Sequence, residues 1–301
     1  MIRRDQPEEI QMVLIQLVNG LMEGMTLFLI ASGLTLIFGV TRIINFAHGS
    51  FYMLGAFLTY ELVPLIAPGT LWGFFVAVAA SAAAVSALGV LFETTVLRRI
   101  YGKDGILQLI VTVALVLIIR DLVRMTWGAN SVSVQMPDAL MGALVVGDTY
   151  FPLFPIAIFA AGLIVVLAMI WVIYFTRAGI LLRAGTDDRG MVALLGVNEK
   201  LIFTAVFAAG AFLAGLAGGL SAPYGEVNYL LDTTIIVSAF IVCVIGGLGN
   251  LYGALAGALV VGVTKAIGVM YFPRLSMVLI FLIMAAVLIA RSMGRQGGPA
   301  R

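Results

Sequence analysis

Charge is scarce in this chain. Only 11% of its 301 residues are Asp, Glu, Lys or Arg, against roughly a quarter in ordinary soluble domains. The formal net charge is +2 and the basic residues are scattered, which gives no patch for nucleic acid. Cysteine is nearly absent as well: a single Cys243 excludes an intramolecular disulfide and carries no metal-site spacing. The one histidine, His48, has no Cys, Asp or Glu near it in sequence and makes a poor metal ligand. No H-E-x-x-H is present, and Asp187-Asp188 has no second acidic motif to complete a metal site. Nor is there a G-x-x-x-x-G-K-[ST] loop to cradle phosphates, so this chain has no ATPase site of its own. The first twelve residues lack the small-residue cleavage site of a signal peptide and are expected to form a surface-lying tail.

What the chain has instead is apolar length. Hydrophobic residues make up 62% of it, and runs able to cross a hydrocarbon core of about 30 Å recur throughout. Eight apolar segments are expected, near 12–39, 43–60, 70–92, 106–124, 153–175, 201–221, 234–270 and 275–290. No connection is long enough to fold separately. The expectation is an all-α polytopic membrane protein in which residues 1–301 form a single transmembrane domain.

Lysine and arginine orient it. None lies between Arg42 and Arg98, between Arg124 and Arg177, or between Lys200 and Lys265. The loops in those gaps, at 61–71, 127–152 and 222–233, should face outward by the positive-inside rule. The connections with Arg98, Arg99 and Lys103, and with Arg177, Arg183, Arg189 and Lys200, should face the cytoplasm. The termini depend on 43–60 and 234–270. If both segments re-enter, both ends are cytoplasmic; if both cross, both ends face out. The basic residues near the ends favour the first arrangement.

Those two segments share a pattern. Gly49-SFYML-Gly55-Ala56 and Gly247-LGNLY-Gly253-Ala254 both space glycines six apart after an aliphatic run. The first also places Arg42, Asn45 and His48 inside an apolar stretch, where polar groups are costly and commonly line a route or cavity. A glycine-flanked break is tolerated where the freed backbone faces protein or water. Broken helices in an internal pseudo-repeat are a transporter device. Asn45, His48, Gly49, Gly247, Gly249 and Asn250 are therefore the candidate break residues, with Asn45 and His48 shaping the break rather than touching substrate. The small-xxx-small pairs Gly20/Gly24, Gly215/Gly219 and Gly253/Gly257 are expected to pack helices within the chain.

On the first helix Gln16, Asn19 and Glu23 form one polar stripe. Asn19 is assigned to a pathway wall, and Glu23 to a protonated or arginine-paired carboxyl that ties helices together. Arg120, Asp121 and Arg124 are expected to pair locally and snorkel.

Between the fifth and sixth segments the loop 177–200 holds Thr186 and Asp187, which can begin a short helix. Met191, Val192, Leu194 and Leu195 give that helix an apolar face, and Gly196 stops it. Arg183, Asp187, Asp188 and Arg189 rim the face with charge, the character of a protein-docking knob.

Taken together, these stretches resemble the LivH-like permease subunit of branched-chain amino-acid ABC importers. Asn19-Gly20 with GLTLIFG and INFAHGSFYMLGA is similar to that family's amino-terminal signature. Residues from Arg183 to Asn198 resemble its coupling loop, and Gly246-Gly247-Leu248-Gly249-Asn250 with Gly253 a third family segment. Gly190 and Glu23 depart from the pattern: a charged residue and a small one are more usual there. The resemblance implies an ABC-importer permease fold supplying half of a pore in a bacterial inner membrane. A second related permease would supply the other half. Two cytoplasmic ATPases, which bind the ATP and Mg, would grip Arg183, Asp187, Asp188, Arg189, Met191, Leu195 and Gly196. An extracytoplasmic binding protein would deliver the substrate. No cofactor is expected on this chain. Urea or a short amide is the nearest rival substrate, and a self-contained secondary transporter the rival mechanism.

Overall fold

The computed structural model describes residues 6–146, 149–187 and 198–296. Ten α-helices lie among them, joined by short connections and one β-hairpin. In chain order they are α1 Gln6–Thr41, α2 His48–Ile66, α3 Leu71–Thr95, α4 Gly105–Trp127, α5 Leu153–Phe175 and α6 Arg177–Asp187. They are followed by α7 Glu199–Ser221, α8 Leu231–Gly246, α9 Leu251–Tyr271 and α10 Ser276–Gln296. Strands β1 Ala143–Val146 and β2 Thr149–Pro152 form the hairpin before α5. Seven of the helices are long and apolar enough to cross a membrane, while α8 and the apolar part of α10 are shorter.

Close glycine contacts hold the helices together. Gly20 and Gly24 of α1 lie on α9, so near that an added Cβ would fall 2.6 Å from Val263 Cα and 2.9 Å from Ala258 O. Gly215 of α7 meets Val85 and Ala82 of α3, while Gly257 of α9 meets Val242 of α8. All three small-xxx-small pairs thus pack helix on helix inside the chain, where backbones must approach closely.

The connections sort onto two faces. Asp138 donates its backbone N–H to Gly69 O at 3.0 Å, and Val132 pairs with Val227. These contacts bring the loops after α2, α4 and α7 to one loop face. At the other end Tyr101 meets Phe203 edge to face, and Val40, Phe203 and Val206 cluster with Leu182. That level holds Arg98, Arg99 and Lys103 and is the basic face.

Tracing the chain between these faces corrects the expected topology. The start of α1 lies at the loop face, where Gln16 and Asn19 share a cavity with Tyr224 and Val227. Its end, at Val40, lies on the basic face. Segment 43–60 then carries the chain back to the loop face, because α2 continues to Ile66. Segment 234–270 is not one pass: α8 descends to the basic face and α9 returns. The two doubtful segments therefore behave differently, and α10 leaves toward the basic face. The ends of the described chain lie on opposite faces, whereas both earlier alternatives put them on the same one.

Candidate functional site

The chain breaks helix geometry twice near the basic face. At the first break Thr41 Oγ1 donates to Ile37 O at 2.8 Å and accepts from Ile43 N at 3.2 Å. Arg42 takes φ 60°, the only positive φ on a non-glycine residue among those described. The chain then folds back into the protein. Asn45 Oδ1 accepts from Ala47 N at 3.1 Å, and His48 Nε2 lies 2.9 Å from Ile30 O. Both side chains are wholly buried. Since Ile30 lies eleven residues before the end of α1, α2 begins about 16 Å inside the basic end of that helix. Asn45 and His48 therefore sit in the turn itself, where the backbone carbonyls and N–H groups freed by the break need partners.

Gly49 flanks the break on the α2 side. It is the second residue of α2, and a Cβ there would fall 2.5 Å from Asp232 O. Its smallness serves a helix crossing; the break is made by the extended residues before it. The second break behaves otherwise: Gly247 and Gly249 have φ 92° and 84°, conformations that glycine enters without steric penalty. Asn250 caps α9 through Oδ1, which accepts from Gly253 N at 3.0 Å. The six-residue glycine spacing does not mark equivalent positions, since Gly49 lies after its helix start and Gly247 four residues before Leu251.

Two cavities with polar side chains in their walls flank α1. One of about 460 Å³ opens near the loop face and is lined by Gln16, Asn19, Glu23 and Thr26, with Tyr52, Ser221 and Lys265 around them. A second, of about 310 Å³, lies near the basic face against Ser32, Thr35, Gly39, Arg183 and Asn250. Between them Phe28, Leu29, Ile30 and Ala31 are fully buried and close the way. Thr26 and Thr35, nine residues apart, lie on opposite sides of α1, because nine steps of about 100° make two and a half turns. A rotation or tilt of this one helix would change both cavities at once.

Among the described residues three ion pairs form, two of them between helices. Glu23 pairs with Lys265 of α9 rather than with an arginine. Arg120 does not pair locally: Nη2 donates to Asp232 Oδ1 at 3.0 Å and also reaches Thr233 Oγ1. Ser50 Oγ adds a bond to Asp232 Oδ2 at 3.2 Å, so this buried acid joins α2, α4 and α8. Near the basic face Glu93, fully buried, accepts from Arg98 at 3.0 Å, from Thr204 Oγ1 at 2.7 Å and from Tyr101 OH at 3.2 Å. Glu93, Asp232 and Lys265 escaped the sequence reading as site residues. Each acid flanks an apolar run, where it looks like a solvated end.

The loop after α5 also differs from expectation. Thr186 and Asp187 belong to α6, which begins at Arg177, nine residues before Thr186, where Thr176 Oγ1 accepts from Gly179 N at 3.2 Å. Arg183 lies over the Tyr174 ring, 5.0 Å from its centroid. Asp188, Arg189, Met191, Leu195 and Gly196 lie outside the described residues.

A polytopic helical bundle with two helix breaks and a cavity on either side of a closed layer defines a multi-pass membrane protein of the transport class. Residues 16–288 match the family described as "Branched-chain amino acid transport system / permease component", and the chain belongs to that family. It is 32% identical to the high-affinity branched-chain amino acid transport system permease protein BraD of Pseudomonas aeruginosa, with 97% of this chain and 98% of that protein covered. Identity to the high-affinity permease protein LivH of Escherichia coli K12 is 29%, over 94% of this chain and 95% of the relative. The probable permease protein LivH of Methanocaldococcus jannaschii is 29% identical over 80% and 76% of the two chains. No solved structure matches.

Proposed function

We propose that this chain is the membrane-spanning permease subunit of an ATP-driven importer, forming half of a path for branched-chain amino acids. The observation that carries the reading is the family match along nearly the whole length, on a bundle whose two cavities meet a closed layer from opposite faces. The basic face, with Arg98, Arg99, Lys103 and Arg183, is assigned to the cytoplasm of a bacterial inner membrane. The loop-face cavity is then the outward vestibule, and the cavity beside Thr35 and Asn250 the inward one. The whole chain acts as one permease unit without a cofactor of its own. ATP and Mg belong to two partner ATPases docked around 183–198, an extracytoplasmic protein delivers the substrate, and a second permease completes the pore. Alternating access follows if the ATPases move α6 and, through its contacts, the basic end of α1. The names of the relatives favour branched-chain amino acids over urea or a short amide, and favour a subunit of a larger system over a solitary carrier.

The test is a mild-detergent pull-down of the tagged chain from its native membrane, with mass spectrometry of what remains bound. The expected result is two P-loop ATPases and a second permease. A chain recovered folded and reproducibly alone would overturn the reading.

A further inference from the structure

We infer that Glu23 and Lys265 form a recognition site, inside the vestibule, for the zwitterionic head of an α-amino acid. The inference rests on the permease reading above and gives that path a point of chemical selection. The pair joins α1 to α9 with both side chains about two-fifths exposed, at 36% and 43%, toward the same cavity. A salt bridge that serves only to clamp two helices gains nothing from facing open space, since solvent weakens the attraction.

The chemistry of the pair favours one ligand class. A carboxylate offers two acceptor oxygens and an ammonium three protons, so the Glu23–Lys265 contact uses only part of each group. The head of an α-amino acid carries an ammonium and a carboxylate two bonds apart. Placed against the pair, its ammonium faces Glu23 and its carboxylate faces Lys265. The four charges then alternate in a ring, every neighbour is attractive, and the protein pair need not open. The ring adds no net charge to the vestibule. A simple anion or cation would bring an unpartnered charge to the pair, which is costly away from bulk water; the remaining carboxylate of the cavity wall, Glu226, is exposed. A neutral amide would forgo the ionic contacts.

The surroundings suit the rest of such a molecule. Asn19, one turn from Glu23 on the same stripe, and Ser221 offer further hydrogen bonds, while Ile158, Leu231 and Ile235 supply an apolar wall for an aliphatic side chain. A cavity of about 460 Å³ lies within the size range of small-ligand pockets.

The test uses the complex purified through the full-length tagged chain and washed free of soluble binding protein. Its thermal unfolding is followed with L-leucine, with leucinol (no carboxylate) and with 4-methylpentanoate (no amine). A ligand that binds only the folded state raises the melting temperature. The expected result is a rise with leucine alone, with affinity at least tenfold weaker in Glu23→Gln and in Lys265→Met. The exchanged pair Glu23→Lys with Lys265→Glu keeps both charges and should retain a leucine response even where a single variant fails to fold. Equal shifts for all three compounds would overturn the site. So would an unchanged leucine response in both single variants, or no leucine response while the ATPases remain bound. Absence of the ATPases counts against the permease reading instead, so the two failures are distinguishable.

Discussion

The two helix breaks solve one problem by different chemistry. Before α2 the chain folds back into the protein through Asn45 and His48, both fully buried, and Asp232 packs against the first turn of the new helix. Between α8 and α9 the chain reverses at the protein edge, through glycines at positive φ and a capping asparagine, with Leu248, Gly249 and Asn250 exposed. Inside, the freed backbone groups lie buried and must be met by protein groups; at the edge, glycine geometry and one cap suffice. Depth rather than motif therefore decides which residues a break needs.

Substitutions can widen or erase that contrast. Asp232→Leu should have the largest effect, because it leaves Arg120 partly buried without its carboxylate; removing one partner of a buried pair costs about 3–5 kcal/mol. Thermal or denaturant unfolding of the purified chain would register it. His48→Leu comes next: it removes the contact to Ile30 O and puts a side chain of another shape into a fully buried turn, at about 1–3 kcal/mol. Gly249→Ala should cost about 1–2 kcal/mol, since its φ of 84° lies in the left-handed region that a Cβ resists. Asn250→Ala is expected to be the mildest, losing a helix cap worth about 1 kcal/mol. If Asn250→Ala matched His48→Leu in unfolding measurements, the distinction between inner and edge breaks would fail.

The same contrast explains what was legible in advance. Apolar length announced nearly every membrane-spanning element, and polar or glycine-rich interruptions located both breaks within a few residues. The polar stripe of Gln16, Asn19 and Glu23 was readable because helical periodicity is local. Pairings across the bundle were not. Glu93 and Asp232 sit at the edges of apolar runs and become interior only because Arg98, Thr204, Arg120 and Ser50 arrive from other helices. The close neighbour of Gly49 was hidden for the same reason, being the Asp232 backbone some 180 residues away in sequence. The sidedness of the ends failed differently. It depends on the parity of passes, and one long apolar run conceals whether the chain crosses once or turns back.

Cys243 gives this arrangement a practical consequence. Its sulfur is fully buried against α1, 3.2 Å from Thr35 Oγ1 and 3.5 Å from Ala31 O, behind the wall of the basic-face cavity. Because the chain has no other thiol, the rate at which a small maleimide modifies this sulfur in the unaltered protein is a clock for the separation of α1 from α8. Slow labelling at rest and faster labelling during turnover would time the opening of the inner half of the path without a single engineered cysteine.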